Sequence, residues 1–175
     1  MAANPAPADQ TLPRDPVEAA IVVAERFSRA FEERCNTNAS AVARRLKDFP
    51  NVLLQAGLTP ALTFYASKLD ETRKGRIFID VLKAVTGGGS GGEICKEATG
   101  EGGGYPHALA VLLAYIAGQA GCDVSVLLDG EDSGYRRGFV ECVKAIKRGG
   151  PALERLALVY ASEVKKLFAA LYPSE

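Results

Sequence analysis

From Ser40 onward, Val42, Leu46, Phe49 and Leu53 recur at helical intervals, while Arg44, Lys47, Asn51 and Gln55 fall on the opposite side of the cylinder. Ser40 is placed to cap this run. Pro50 interrupts it by removing a backbone donor and crowding the preceding turn, so the segment is either one kinked helix or two shorter ones. The run stops at Gly57, where a left-handed C-terminal residue fits; Leu58 can fold back on the last turn, and Thr59 and Pro60 read as the next N-cap and first helical position. The pattern predicts a sharp helix-turn-helix corner offering Phe49, Leu53, Leu58, Leu62, Phe64 and Tyr65 as packing surface.

The same periodicity continues on both sides of the corner. Asp15 and Pro16 are a good N-cap and first position for a helix with Val17, Ile21, Ala24, Ser28 and Phe31 on its inner face, ending near Cys35 and Asn36. After the corner a helix runs from Pro60 to about Leu69, with Leu62, Tyr65, Ala66 and Leu69 inward. A polar cluster, 70–76, precedes Ile77, Phe78, Val81, Leu82 and Val85, whose spacing again favours helix. Residues 105–117 are apolar on nearly every side, the mark of a central helix. Gly118 and Gly121 close it, and 122–128 read as a short helix or an extended connector. Asp132 and Ser133 open a helix with Tyr135, Phe139, Cys142, Val143 and Ile146 on one face. Gly149, Gly150 and Pro151 then start the last helix, with Leu153, Leu156, Tyr160, Val164, Leu167 and Leu171 inward, which ends at Tyr172 and Pro173.

Two stretches lack any period. Residues 1–14, rich in Ala and Pro, read as a disordered arm. The segment 87–104 is so dense in glycine that it is expected to be a mobile loop, a candidate for ordering on a partner. The expected architecture is therefore all-α: a compact single-domain helical bundle of six to eight helices over 15–172, with a glycine-rich mobile loop at 87–104 and a short tail at 173–175.

Composition narrows the function classes. At 175 residues and 47% hydrophobic, the chain can bury one self-sufficient core. Its 21 basic and 21 acidic residues cancel, so binding to nucleic acid or an anionic membrane has to come from a local patch. The start lacks the basic cluster and apolar core of a signal peptide, and the longest apolar run, 108–117, is too short to cross a bilayer, so a cytoplasmic location is expected. Cys35, Cys95, Cys122 and Cys142 form no Cys-x-x-Cys pair, and His107 is the single histidine; buried thiols are expected rather than a zinc site, with disulfides the alternative in a hyperthermophilic host.

Candidate chemistry is sparse. Gly87, Gly89 and Gly92 fit G-x-G-x-x-G, but no convincing strand precedes them and the following helix is short. The loop from Asp129 faintly resembles a calcium loop, yet its twelfth position is Val140, with Glu141 one place late, so a capped turn is favoured. His107 has no base or nucleophile near it in sequence. No catalytic residue, metal or cofactor is expected. The suggestive feature is basic: Arg137, Lys144 and Arg148 line one face of their helix, and Arg44, Lys47, Lys68, Arg73, Lys74 and Arg76 gather around the corner. Such groups can meet successive phosphates, although aromatic residues do not interleave them along the chain as a stacking platform would.

The corner itself, with Phe49 and Pro50, then Gly57 and Leu58, then Thr63 and Phe64 leading to Lys68, resembles the signature of the small subunit family, the fifth Cmr protein, of the type III-B CRISPR Cmr effector complex. The similarity covers about residues 42–85, and a closing helix like 152–171 also resembles that family's end. The glycine-rich segment and the Ala/Pro arm depart from the pattern. The resemblance implies an all-α, non-catalytic protein, several copies of which stack beside the Cmr backbone subunits that hold crRNA, with basic surfaces facing target RNA. It makes Arg44, Lys47, Lys68, Arg73, Lys74 and Arg76 candidate RNA contacts. Arg137, Lys144 and Arg148 lie outside the matching stretch and rest on their spacing alone. A stand-alone helical adaptor or regulator of another protein is the alternative.

Overall fold

A computed structural model of the chain describes residues 11–89, 91–128 and 134–174. Among the described residues there are eight α-helices and no strand: α1 (Pro16–Arg34), α2 (Ser40–Ala56), α3 (Leu58–Ser67), α4 (Thr72–Val85), α5 (Tyr105–Gln119), α6 (Ser125–Leu128), α7 (Gly134–Arg148) and α8 (Gly150–Leu171). The all-α bundle expected from periodicity is what forms. Helix α5 is its axis, with every residue from Pro106 to Ala117 buried. Helix α4 packs along it, while α8 lies against both α1 and α2. Two tyrosines stitch the centre: Tyr160 of α8 donates to the Val111 carbonyl at 2.6 Å and stacks on Tyr115, whose own hydroxyl donates to the Arg14 carbonyl at 2.5 Å.

The corner forms in a tighter shape than expected. Gly57 alone separates α2 from α3, at φ 92° and ψ 165°, a region essentially closed to residues with a Cβ. Neither Thr59 nor Pro60 starts the second helix. It begins at Leu58, whose N–H is capped by the Glu154 carboxylate of α8 at 3.0 Å. Helix α2 runs unbroken through the buried Pro50, which settles the choice between one helix and two. Ser40 is not its cap; the Ala98 carbonyl accepts from Ala41 N–H at 3.0 Å instead.

Several inner faces differ from the sequence reading. On α1 the core stripe is Ala19, Ala20, Val23, Ala24, Phe27 and Phe31, and Val17 and Ile21 are exposed, because small alanines let α8 approach on their side. On α8, Ala157, Ala161 and Phe168 take inner positions, and Leu171 is exposed. Most of the polar cluster 70–76 is helical: α4 starts at Thr72 and carries Arg73, Lys74 and Arg76 in its first turns. Residues 122–128 include the short helix α6. Within 11–14 of the expected arm, Leu12 packs against the core. The expected cap at Asp132 and Ser133 and the calcium-like loop lie outside the described residues.

The four cysteines are not free thiols. Cys35 is bonded to Cys95 and Cys122 to Cys142, each pair bringing Cα atoms within 5.4 Å and 5.3 Å. The first bridge fixes part of the segment expected to be a mobile loop. A one-turn 3-10 helix, Gly92–Cys95, buries Ile94, and Glu93 N–H donates to Asp80 at 3.1 Å. His107 completes the anchorage: its Nε2–H donates to the Ile94 carbonyl at 2.9 Å while Phe27 meets the ring edge-on. Burial holds its pKa down to about 4, so at neutral pH the imidazole is an uncharged structural donor.

A candidate nucleic-acid interface at the corner

The fold brings the corner helices against the end of the glycine-rich segment. Gly104, at φ 88°, precedes α5 and lies so near α2 that a Cβ would stand 2.5 Å from the Ala41 carbonyl oxygen. This close approach runs the loop 97–104 beside Arg44 and Arg45. Arg44 donates to the Gly100 carbonyl at 3.2 Å. Arg45 donates through Nε to Gly103 at 3.0 Å and through its terminal nitrogen to Glu101, while its guanidinium lies 4.2 Å from the Tyr105 ring centroid. Charge-assisted bonds of this kind order a loop that glycine would otherwise leave loose.

Aromatic rings lead from the core to this surface. Phe49 meets Tyr65 edge-on at 5.3 Å, Tyr65 meets Tyr105 at 5.3 Å, and both contact Phe64, at 5.9 and 6.5 Å. Tyr65 is buried and donates to the Arg45 carbonyl at 2.5 Å; burial, with Asp48 adding to it, raises its pKa, so it stays a neutral donor. Phe64, expected to offer packing surface at the corner, is 45% exposed. Lys68, one helical turn on, sets its ammonium 5.0 Å from the Phe64 centroid and 5.7 Å from that of Tyr105. Two cations and two accessible rings therefore share one face.

The other basic candidates divide into three groups. Arg73 and Lys74 adjoin the same loop but are matched by acids: Arg73 lies 3.1 Å from Glu71 and 3.5 Å from Glu97, and Lys74 2.8 Å from Asp70. The Lys74 hydrogen bond holds the Asp70 carboxyl below its ordinary pKa and raises that of Lys74 itself. Lys47 and Arg76 are exposed on α2 and α4. Arg137, Lys144 and Arg148 share the exposed face of α7, with Lys144 held by Glu141 at 3.2 Å. Arg45 and Tyr105 were missed by the sequence reading. Their signal was an Arg-Arg pair at the edge of an apolar face and an aromatic residue directly after a glycine run.

Among the described residues no group of three or more His, Cys, Asp or Glu side chains is arranged to hold a metal ion. Nor is any helix of these residues long and apolar enough to cross a membrane. A separate groove of about 500 Å³ runs between α1 and α8, lined by Ile21, Leu167 and Leu171 and rimmed by Glu25, Arg29 and Glu32. Compared with protein-family models, with curated proteins and with solved structures, the chain matches none of them.

Proposed function

We propose that this chain is a non-catalytic small subunit of an RNA-guided interference complex of the type III-B Cmr kind, contacting target RNA through the corner face. The observation that carries the reading is the coincidence of two independent features: the stretch 42–85 that resembles the Cmr small subunit holds Arg45, Phe64 and Lys68, and these side chains meet Tyr105 at the surface. Cations supply phosphate affinity, and rings supply contact that no phosphate offers. Arg44, Arg73 and Lys74 widen the patch, since their bonds to exposed carbonyls and carboxylates are cheap to exchange for phosphate. Lys47, Arg76 and the α7 stripe stand as further phosphate contacts within the assembly.

The zero net charge suits a subunit whose neighbours hold the RNA, so the isolated chain binds weakly. A cytoplasmic location is part of the proposal, and it requires two disulfides to persist there, as they do in intracellular proteins of hyperthermophiles. The test is gentle purification of the tagged protein from its host. The reading expects Cmr backbone subunits, further copies of the chain and short guide RNAs. It also expects Lys68→Glu to leave assembly intact while weakening target-RNA retention. Recovery without RNA or backbone subunits contradicts it. The adaptor reading is favoured by the α1–α8 groove, with its exposed Ile21 and Leu171; recovery of one stoichiometric protein partner, lost on Ile21→Glu, would support that reading instead.

A further inference from the structure

We infer that the corner face stacks an unpaired RNA base on Phe64, so that it distinguishes a single strand from a duplex rather than reading phosphates alone. This inference rests on the RNA-contacting role proposed above. Phe64 is a large apolar ring left nearly half exposed on a helix whose inner face is otherwise filled, although the same corner has buried Phe49 and Tyr65 completely. Exposure of a lone phenylalanine is common. Here, however, the ring is braced edge-on by Tyr105 and Tyr65, and Tyr105 in turn lies beneath the Arg45 guanidinium, which two loop carbonyls fix in place.

Lys68 gives the site its exchange. Its ammonium now sits over the Phe64 ring, a contact that an arriving base replaces; the released ammonium lies on a flexible stem, within reach of the phosphate beside that base. Every base has a π-face, so the site has no strong sequence preference, but a paired base already has its faces covered by neighbours in the duplex.

The test uses the full chain at low salt with labelled RNA of about ten nucleotides, within the span that single-strand sites cover. The probes are oligoadenylate, an abasic strand of equal length and a duplex. The expected order of affinity is oligoadenylate, then abasic strand, with duplex no tighter than abasic. Phe64→Leu, which keeps an apolar contact to Tyr65 and Tyr105, should lose about ten-fold on oligoadenylate and nothing on the abasic strand, with an unchanged salt slope. Lys68→Gln should weaken both single strands and flatten the salt slope. If Phe64→Leu binds oligoadenylate as the parent does, while binding stays salt-dependent and sensitive to Lys68→Gln, stacking is overturned and the RNA-contacting role stands. If the parent, raised to its solubility limit so that weak binding registers, binds none of the probes, both are overturned.

Discussion

His107 spends its chemistry on architecture. It is the one buried residue of polar or charged type among those described, it donates to the Ile94 carbonyl, and it is neutral because burial depresses its pKa to about 4. Between that value and the ordinary 6.5, the unfolded chain binds a proton that the folded chain refuses. Stability from this group is therefore present above about pH 6.5 and lost as the pH falls towards 4, by roughly 3 kcal/mol at most. Denaturant titrations at pH 7 and pH 4.5 should show a smaller acid loss for His107→Gln, which cannot titrate, than for the parent; equal losses would mean that the imidazole is already protonated in the fold. Gly57 carries a comparable burden in its backbone. At φ 92° and ψ 165°, Gly57→Ala should cost about 1–3 kcal/mol in an unfolding titration, although the nearest atom to an added Cβ stands 3.6 Å away. A neutral result would show that the corner relaxes to a different turn.

At the scale of elements, the two disulfides divide the labour unequally. In the chain-entropy picture the Cys35–Cys95 bridge, with a sequence separation of 60, restrains the unfolded chain by about 4 kcal/mol, and the Cys122–Cys142 bridge, with a separation of 20, by about 3 kcal/mol. The double serine variant of the first pair should melt lower than that of the second; the reverse order would place the greater constraint on the α6–α7 side. Neither pairing was legible in the sequence, because the first depends on where the 3-10 turn lands on the end of α1 and the second on how the stretch after α5 packs against α7. What was legible followed from strong local signals: the all-round apolar α5, the Asp15 cap, the Gly57 stop and the Gly150-Pro151 start. The inner face of α1 was misread because alanines bury as completely as larger residues but signal weakly, leaving Ile21 as a false guide. The glycine-rich segment was misread for a related reason. Its order comes from outside itself, through Arg44, Arg45 and Cys35, whose partners lie 56 to 60 positions away, and through Asp80 and His107, which flank it.

For the molecule as a whole, the basic residues that looked like one class behave as several. Arg73 and Lys74 are balanced by nearby acids, Arg44 and Arg45 hold a loop, and Lys68 faces exposed rings. Local charge, not net charge, is what the corner offers, and the aromatic platform that is absent along the chain is assembled by bringing Tyr105 to Phe64. Phosphate contact and base contact at this face are the two halves of the functional account. The measurement that tests it most directly is ultraviolet crosslinking of the tagged chain in its host, with its RNA-bearing peptides identified by mass spectrometry. The account predicts crosslinks on the peptides that contain Phe64 and Tyr105. RNA crosslinked only to α7, or RNA absent from the chain altogether, would contradict it.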